Sequence, residues 1–285
     1  MIDANAFNAF EAAGWETRAE TYDRYWAALT GRLSDPLLDA VGAGPGLRLL
    51  DVACGPGHLA ASAAERGATA VGVDIAEAMI GLARQRFPKA EFRQADAQSL
   101  PFPDGSFDEV VANLAVPHLG RPEQAVAEFR RVLVPDGLLA LTTWDLPARA
   151  RLVGVLLDAV RDVGVAPPPT VPAGPDFFRF ADDAEFAALL KDQTFADVEV
   201  TTVAFLHSVN SADEMWDGLL HGTVRTSAVI RGQPNDVVEH IRASFDQRLH
   251  SYRTGDTYQL PVSFKLARGR RTDPDPCDST PAAPG

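Results

Sequence analysis

The chain has 285 residues, 46% of them hydrophobic and 23% charged, with a formal net charge of −13 and a pI near 4.8. Length and apolar content suit a globular protein with a sizeable core, either one large α/β domain or a domain with an added lobe. The acidic balance counts against nucleic acid as a partner, because phosphate backbones are bound through a surplus of Lys and Arg.

Residues from Asp3 to about Leu38 read as helical and are unusually aromatic, with Phe7, Phe10, Trp15, Tyr22, Tyr25, Trp26 and Leu29 at mixed three- and four-residue steps. The apolar run ending at Val52 then breaks at Gly55 and Gly57 and resumes as the small helix formers from His58 to Ala60. That pattern predicts strand, tight turn, helix. The glycines let the backbone turn sharply and admit a ligand against bare peptide groups, and the helix start offers its N–H groups to it. A second strand, Ala70 to Val73, ends in Asp74, placed to hold a ribose diol.

Gly81 to Arg86 continues the next helix, Pro88 helps stop it, and Pro101 to Gly105 is turn chemistry before the fourth strand. The alternation from Arg48 to Val134 implies parallel strands with right-handed crossovers, and Leu138 to Thr143 reads as the fifth. After Trp144 the regular alternation stops. A helix at Leu152 to Val163, a loop carrying Phe177, Phe178 and Phe180, and a helix at Asp182 to Lys191 follow. Next come a period-two run from Val198 to Leu206, a helical insert from about Ala212 to Tyr252, and a final strand at Leu260 to Leu266. Pro261 suits a strand start or edge. Arg270 to Gly285, rich in Pro, Asp, Ser and Thr, is expected to be disordered.

By spacing alone Gly55, Gly57 and Ala60 also satisfy the dinucleotide pattern G-x-G-x-x-A. A pyrophosphate, however, would meet Asp51, Asp74 and Asp96 at successive strand ends, with no Lys or Arg between Asp51 and Arg66. S-adenosylmethionine, with a sulfonium, an ammonium and no phosphate, suits that acidic ring better. Charge therefore favours a methyl donor over NAD.

These residues resemble the class I S-adenosylmethionine-dependent methyltransferases, in particular the small-molecule branch similar to the ubiquinone and menaquinone biosynthesis enzymes (methyltransferase type 11). The resemblance runs from about Tyr22 to Trp144, through the segments Asp51–Gly57, Val73–Ile75, Ala95–Phe102, Phe107–Leu114 and Arg131–Leu139. It implies a Rossmann-like, doubly wound seven-stranded sheet whose last strand is antiparallel at the sheet edge. It also implies a helical lid at 1–45, a cofactor-binding core at 46–146, acceptor-pocket inserts and the final two strands at 147–269, and a tail at 270–285. In the family's terms Asp51, Ala53, Cys54, Gly55 and Gly57 cradle the methionine end, joined by Tyr22 from the lid. Asp74 and Ile75 hold the ribose, Asp96 and Ala97 meet the adenine edge, and Met79 and Gln98 are further cofactor-binding residues. Asn113, Leu114 and His118 close the site after the fourth strand. Ala53 stands where many members have Gly, which is tolerable if it keeps a negative φ.

Methyl transfer is an in-line displacement on an activated carbon, so alignment and exclusion of water do much of the work and a base is optional. His118, at the carboxyl edge of the sheet, is the candidate base. Tyr25, Phe177, Phe178, Phe180, Trp216 and His221 are candidate walls of an apolar acceptor pocket, with ordinary core packing as the competing reading. The fourth-strand end lacks the Asn-Pro-Pro-aromatic sequence of base methylators and the paired glutamates of arginine methylators, and no Asp/Asn cluster supports a metal at Asp145.

Two cysteines, Cys54 and Cys277, are too few for a disulfide framework, and the opening Met1 to Phe7 does not read as a signal peptide. A cytoplasmic enzyme without membrane or nucleic-acid partners is expected, acting on a small-molecule acceptor. Oligomeric state and the atom methylated stay open. An NAD-dependent oxidoreductase, or an S-adenosylmethionine-binding protein with a non-methyl reaction such as cyclisation, are the alternatives.

Overall fold

Four of the first five strands are runs buried on both faces. In the computed structural model, which describes residues 2–273, the chain runs α1 (Ala4–Glu16), α2 (Ala19–Thr30), α3 (Ser34–Val41), β1 (Arg48–Val52), α4 (His58–Glu65), β2 (Thr69–Asp74), α5 (Glu77–Arg86) and β3 (Glu91–Gln94). It continues with β4 (Phe107–Ala112), α6 (Pro122–Val132), β5 (Leu133–Trp144), α7 (Arg151–Val163), α8 (Asp183–Lys191) and β6 (Phe195–Val209). The last elements are α9 (Ala212–His221), α10 (Arg225–Arg231), α11 (Asn235–Leu249), β7 (Arg253–Thr254) and β8 (Thr257–Arg271). The strand order is β3-β2-β1-β4-β5-β8-β6, with β7 paired to β8 beside that path. β1 to β5 pair in parallel and β8 runs antiparallel to both its neighbours, which is a Rossmann-like doubly wound sheet.

Neighbouring residues on each central strand divide the core between two helical layers. Leu50, Val110 and Leu139 face α6 and α8, whereas Leu49, Val111 and Ala140 face α3, α4 and α5. With both faces covered, these strands read as continuous apolar runs rather than alternating ones. β6, the edge strand, shows the alternating burial that its period-two sequence predicts. A third core joins α2, α7, α9 and α11 to the far half of β8 through Trp26, Leu156, Trp216, Phe245 and Phe264. It forms a lobe beside the carboxyl ends of the strands.

The path of the sheet has the seven strands expected, and a two-residue strand, β7, is added beside it at the tight turn before β8. Three expectations need correction. The last strand is antiparallel as expected but lies between β5 and β6, so β6 forms the edge. Pro261 pairs opposite Leu206 beyond the last β5 partner, Trp144↔Phe264, where β8 has a strand on one side only. Arg270 and Arg271, assigned to the tail, belong to β8; each pairs with a strand and binds acids or carbonyls through its guanidinium. The rest of that tail from residue 274 lies outside the described residues. Finally, the helical stretch at 1–45 is three helices, and only α1 and α2 stand over the strand ends. Leu37, Leu38 and Val41 of α3 are buried in the sheet's own layer.

Candidate active site

The glycine turn is built from three left-handed residues, Ala53 (φ 56°), Gly55 (φ 51°) and Gly57 (φ 88°). Ala53 therefore does not keep the negative φ expected of it: an L side chain is held in a conformation that costs about 1 kcal/mol or more. Leu114, at the end of β4, is held likewise at φ 57°. Gly57 shapes the turn without reaching the cavity, because a side chain there would strike Phe92 at 2.7 Å and Ala83 at 2.9 Å behind it. Its amide donates to Cys54 O at 3.0 Å.

Three acids organise the strand ends. Asp51 Oδ2 accepts the N–H of Ala60 at 3.0 Å, so one of the helix-start donors expected to face a ligand is spent on capping α4. Its other oxygen, Oδ1, is buried without a hydrogen-bond partner. Asp74 accepts from Gly55 N at 2.9 Å and Ala76 N at 3.0 Å. Asp96 lies in the turn after β3, where it accepts from Gln98 N at 2.8 Å. Burial first, and Asp74 nearby, hold the Asp51 carboxyl well above the usual carboxylate range; burial likewise raises Asp74. Burial also raises the Cys54 thiol and, with Asp74, Asp23 and Asp51 adding to it, pushes the Tyr22 phenol up to about 12. The glycine turn is thus a region that resists negative charge.

These residues line one cavity of about 370 Å³ between the strand ends, α1, α2 and the late helices. Tyr22, Asp51, Ala53, Cys54, Gly55, Asp74, Ile75, Met79, Asp96, Ala97, Gln98, Asn113, Leu114 and His118 all reach it, as do Phe177 and Phe178. Asn113 donates to Thr30 O at 3.1 Å and accepts from Thr142 Oγ1 at 2.7 Å, tying the end of β4 to α2 and β5. The lid is also fastened on its other side, where Asp23 meets His58 Nε2 at 2.9 Å and pairs with Arg86.

Four expected pocket walls are elsewhere. Tyr25 packs on Gly218 and under the Arg24 guanidinium. Phe180 stacks on Phe186 in the core beneath the sheet, and Trp216 stacks on Phe245 within the lobe. His221 is exposed and bonded to Arg231. Tyr25, Phe180 and Trp216 thus turn to the packed cores, and His221 turns to the surface.

Residues unmarked in the sequence take their place. Asn8, Glu11, Ala12 and Trp15 of α1 face the cavity, as do Trp144, Val153, Leu157, Val160, Val229, Ile230 and Arg225. The signal for Glu11 was its position one turn after Phe7 and one before Trp15, a carboxylate within an apolar stripe. The cavity thus has a polar half at the glycine turn and an apolar half under α7 and α10.

Strand order, antiparallel penultimate strand and glycine turn define a Rossmann-like methyltransferase fold. Residues 50–141 match the family described as a methyltransferase domain. The chain is 38% identical over 111 residues to a demethylmenaquinone methyltransferase of Renibacterium salmoninarum, covering 39% of this chain and 47% of that protein. It spans about half the length of the curated relatives it matches. The fold is shared with the YcgJ protein of Bacillus subtilis (TM-score 0.56, 20% identity, 85% of this chain and 99% of that one). It is also shared with the [4+2]-cyclase SpnF (TM-score 0.53, 20% identity, 87% of this chain and 84% of that one). By sequence and architecture the chain is similar to class I S-adenosylmethionine-dependent methyltransferases of the menaquinone type.

Proposed function

We propose that this protein transfers the methyl group of S-adenosylmethionine to a small, largely apolar acceptor. The observation that carries the reading is the buried acidic ring around the glycine turn, with Asp51 Oδ1 left without a partner and no Lys or Arg between Asp51 and Arg66. A cationic ligand satisfies such a site; a pyrophosphate does not. When bound, the donor supplies an activated methyl carbon. The chain's part is to hold it: Asp74 and Ile75 at the ribose, Asp96, Ala97 and Gln98 at the adenine, and the turn from Asp51 to Gly55 at the methionine end.

The apolar half, walled by Trp144, Val153, Leu157, Val160, Val229 and Ile230, excludes water and favours an acceptor with a hydrophobic body. Similarity to demethylmenaquinone methyltransferases supports methyl transfer. A cyclase on the same fold keeps a non-methyl reaction as the second reading.

Calorimetry decides the cofactor: S-adenosylhomocysteine should bind tightly and NADH should not. Incubation with labelled donor and metabolite extract should then yield a product heavier by one methylene, with stoichiometric release of S-adenosylhomocysteine. Turnover without that release sinks the methyl-transfer reading.

A further inference from the structure

Granted the methyl-transfer reading, on which this rests, we propose that Glu11 and His118 form a proton-accepting pair and that the methylated atom is a hydroxyl oxygen. Glu11 is 3% exposed on α1. Its Oε2 accepts from Trp15 Nε1 at 3.1 Å and lies 2.9 Å from His118 Nδ1. A carboxylate accepts and does not donate, so Nδ1 carries the proton and Nε2 keeps its lone pair. Nε2 makes no hydrogen bond to the described residues, and His118 lines the cavity.

Two aromatic rings pack against the imidazole. Trp15 and Phe177 stand edge-on to it, with centroids 5.1 and 5.5 Å away. Arg225 braces the same corner. It donates to Pro117 O, one residue before His118, at 2.6 Å and to Pro175 O at 3.1 Å. Its Nε is 3.4 Å from Glu11 Oε1, and its guanidinium lies between Phe7 and Phe177, 4.9 Å from each ring. Arg18 is the other cation acting on Glu11, and Asp176 faces Arg225. Glu11 is thus a positioning residue, held by α1, the loop after β4, and α10 together.

A neutral amine attacks with its own lone pair, and an electron-rich carbon attacks through its π electrons and gives up its proton only after the methyl group has arrived. A hydroxyl becomes a competent nucleophile as it loses its proton. In the step, the acceptor oxygen bonds to the methyl carbon and the carbon–sulfur bond breaks with its pair on sulfur. The hydroxyl proton passes to Nε2. The resulting imidazolium is stabilised by Glu11 and releases the proton to solvent, since the His118 side chain is 24% exposed.

Two measurements test the pair. With 15N-labelled histidine, the neutral His118 ring, assigned by its absence in His118→Gln, should be the Nδ1–H tautomer; an Nε2–H tautomer overturns the proposal. With 1-naphthol as probe acceptor, methylation should fall on oxygen. There Glu11→Gln should lower kcat about 10-fold and His118→Gln about 100-fold, and the acid limb of the pH–rate profile should be missing from His118→Gln. Undiminished transfer in His118→Gln, methylation of ring carbon, or no transfer by a protein that binds S-adenosylhomocysteine overturns it. Failure to bind S-adenosylhomocysteine sinks the cofactor reading instead.

Discussion

Asp74 Oδ2 accepts the N–H of Gly55 at 2.9 Å, so the acid at the end of β2 braces the glycine turn at the end of β1. Its second oxygen holds Ala76 N at 3.0 Å. One carboxylate therefore shapes two loops of the cavity and retains lone pairs for a diol.

Replacing it should affect binding and stability together. Asp74→Ala leaves two buried amides without acceptors, at about 1–3 kcal/mol, and should weaken S-adenosylhomocysteine binding about 10- to 100-fold by calorimetry. Asp74→Asn keeps one acceptor oxygen and should fall between. Unchanged affinity in both variants would remove Asp74 from the ribose site.

Ala53 offers the opposite kind of change. Its φ of 56° suits glycine, and relief of that strain outweighs the added freedom of the unfolded chain. Ala53→Gly should stabilise the protein by about 0.5–1 kcal/mol, seen as a rise in Tm of about 2 °C. A lower Tm would show that the methyl group contributes packing worth more than the strain.

Glu109 on β4 is 2% exposed and neither of its carboxylate oxygens has a partner. Burial first, and Asp108 beside it, raise its pKa from 4.5 to about 7. The fold favours the neutral acid, so its contribution is fully present below the unfolded value and is lost as pH rises toward 7. Glu109→Gln should therefore melt higher than the parent above pH 7, by about 2–3 kcal/mol in stability, and the advantage should shrink to nothing near pH 4.5. A difference independent of pH would contradict this.

What could be read before folding was what local chemistry dictates. Glycines at 55 and 57, an apolar run before them and acids at the strand ends are short-range signals, and the cavity gathers them because parallel strands deliver their carboxyl ends to one edge. The late aromatics were ambiguous for a physical reason: a phenyl ring at helical spacing suits a core and a pocket wall equally well, and only packing sent Phe177 and Phe178 to the cavity but Phe180 and Trp216 to cores.

The sequence by itself determined the strand–turn–helix unit, the parallel sheet and the preference for a cation at Asp51, Asp74 and Asp96, since each follows from neighbours in the chain and from charge. Tertiary structure alone decided that β8 slips between β5 and β6, that Ala53 is left-handed, and that Glu11 meets His118, 107 positions further along the chain. Contacts at that separation depend on how α1 is laid over the strand ends, and no local periodicity encodes them.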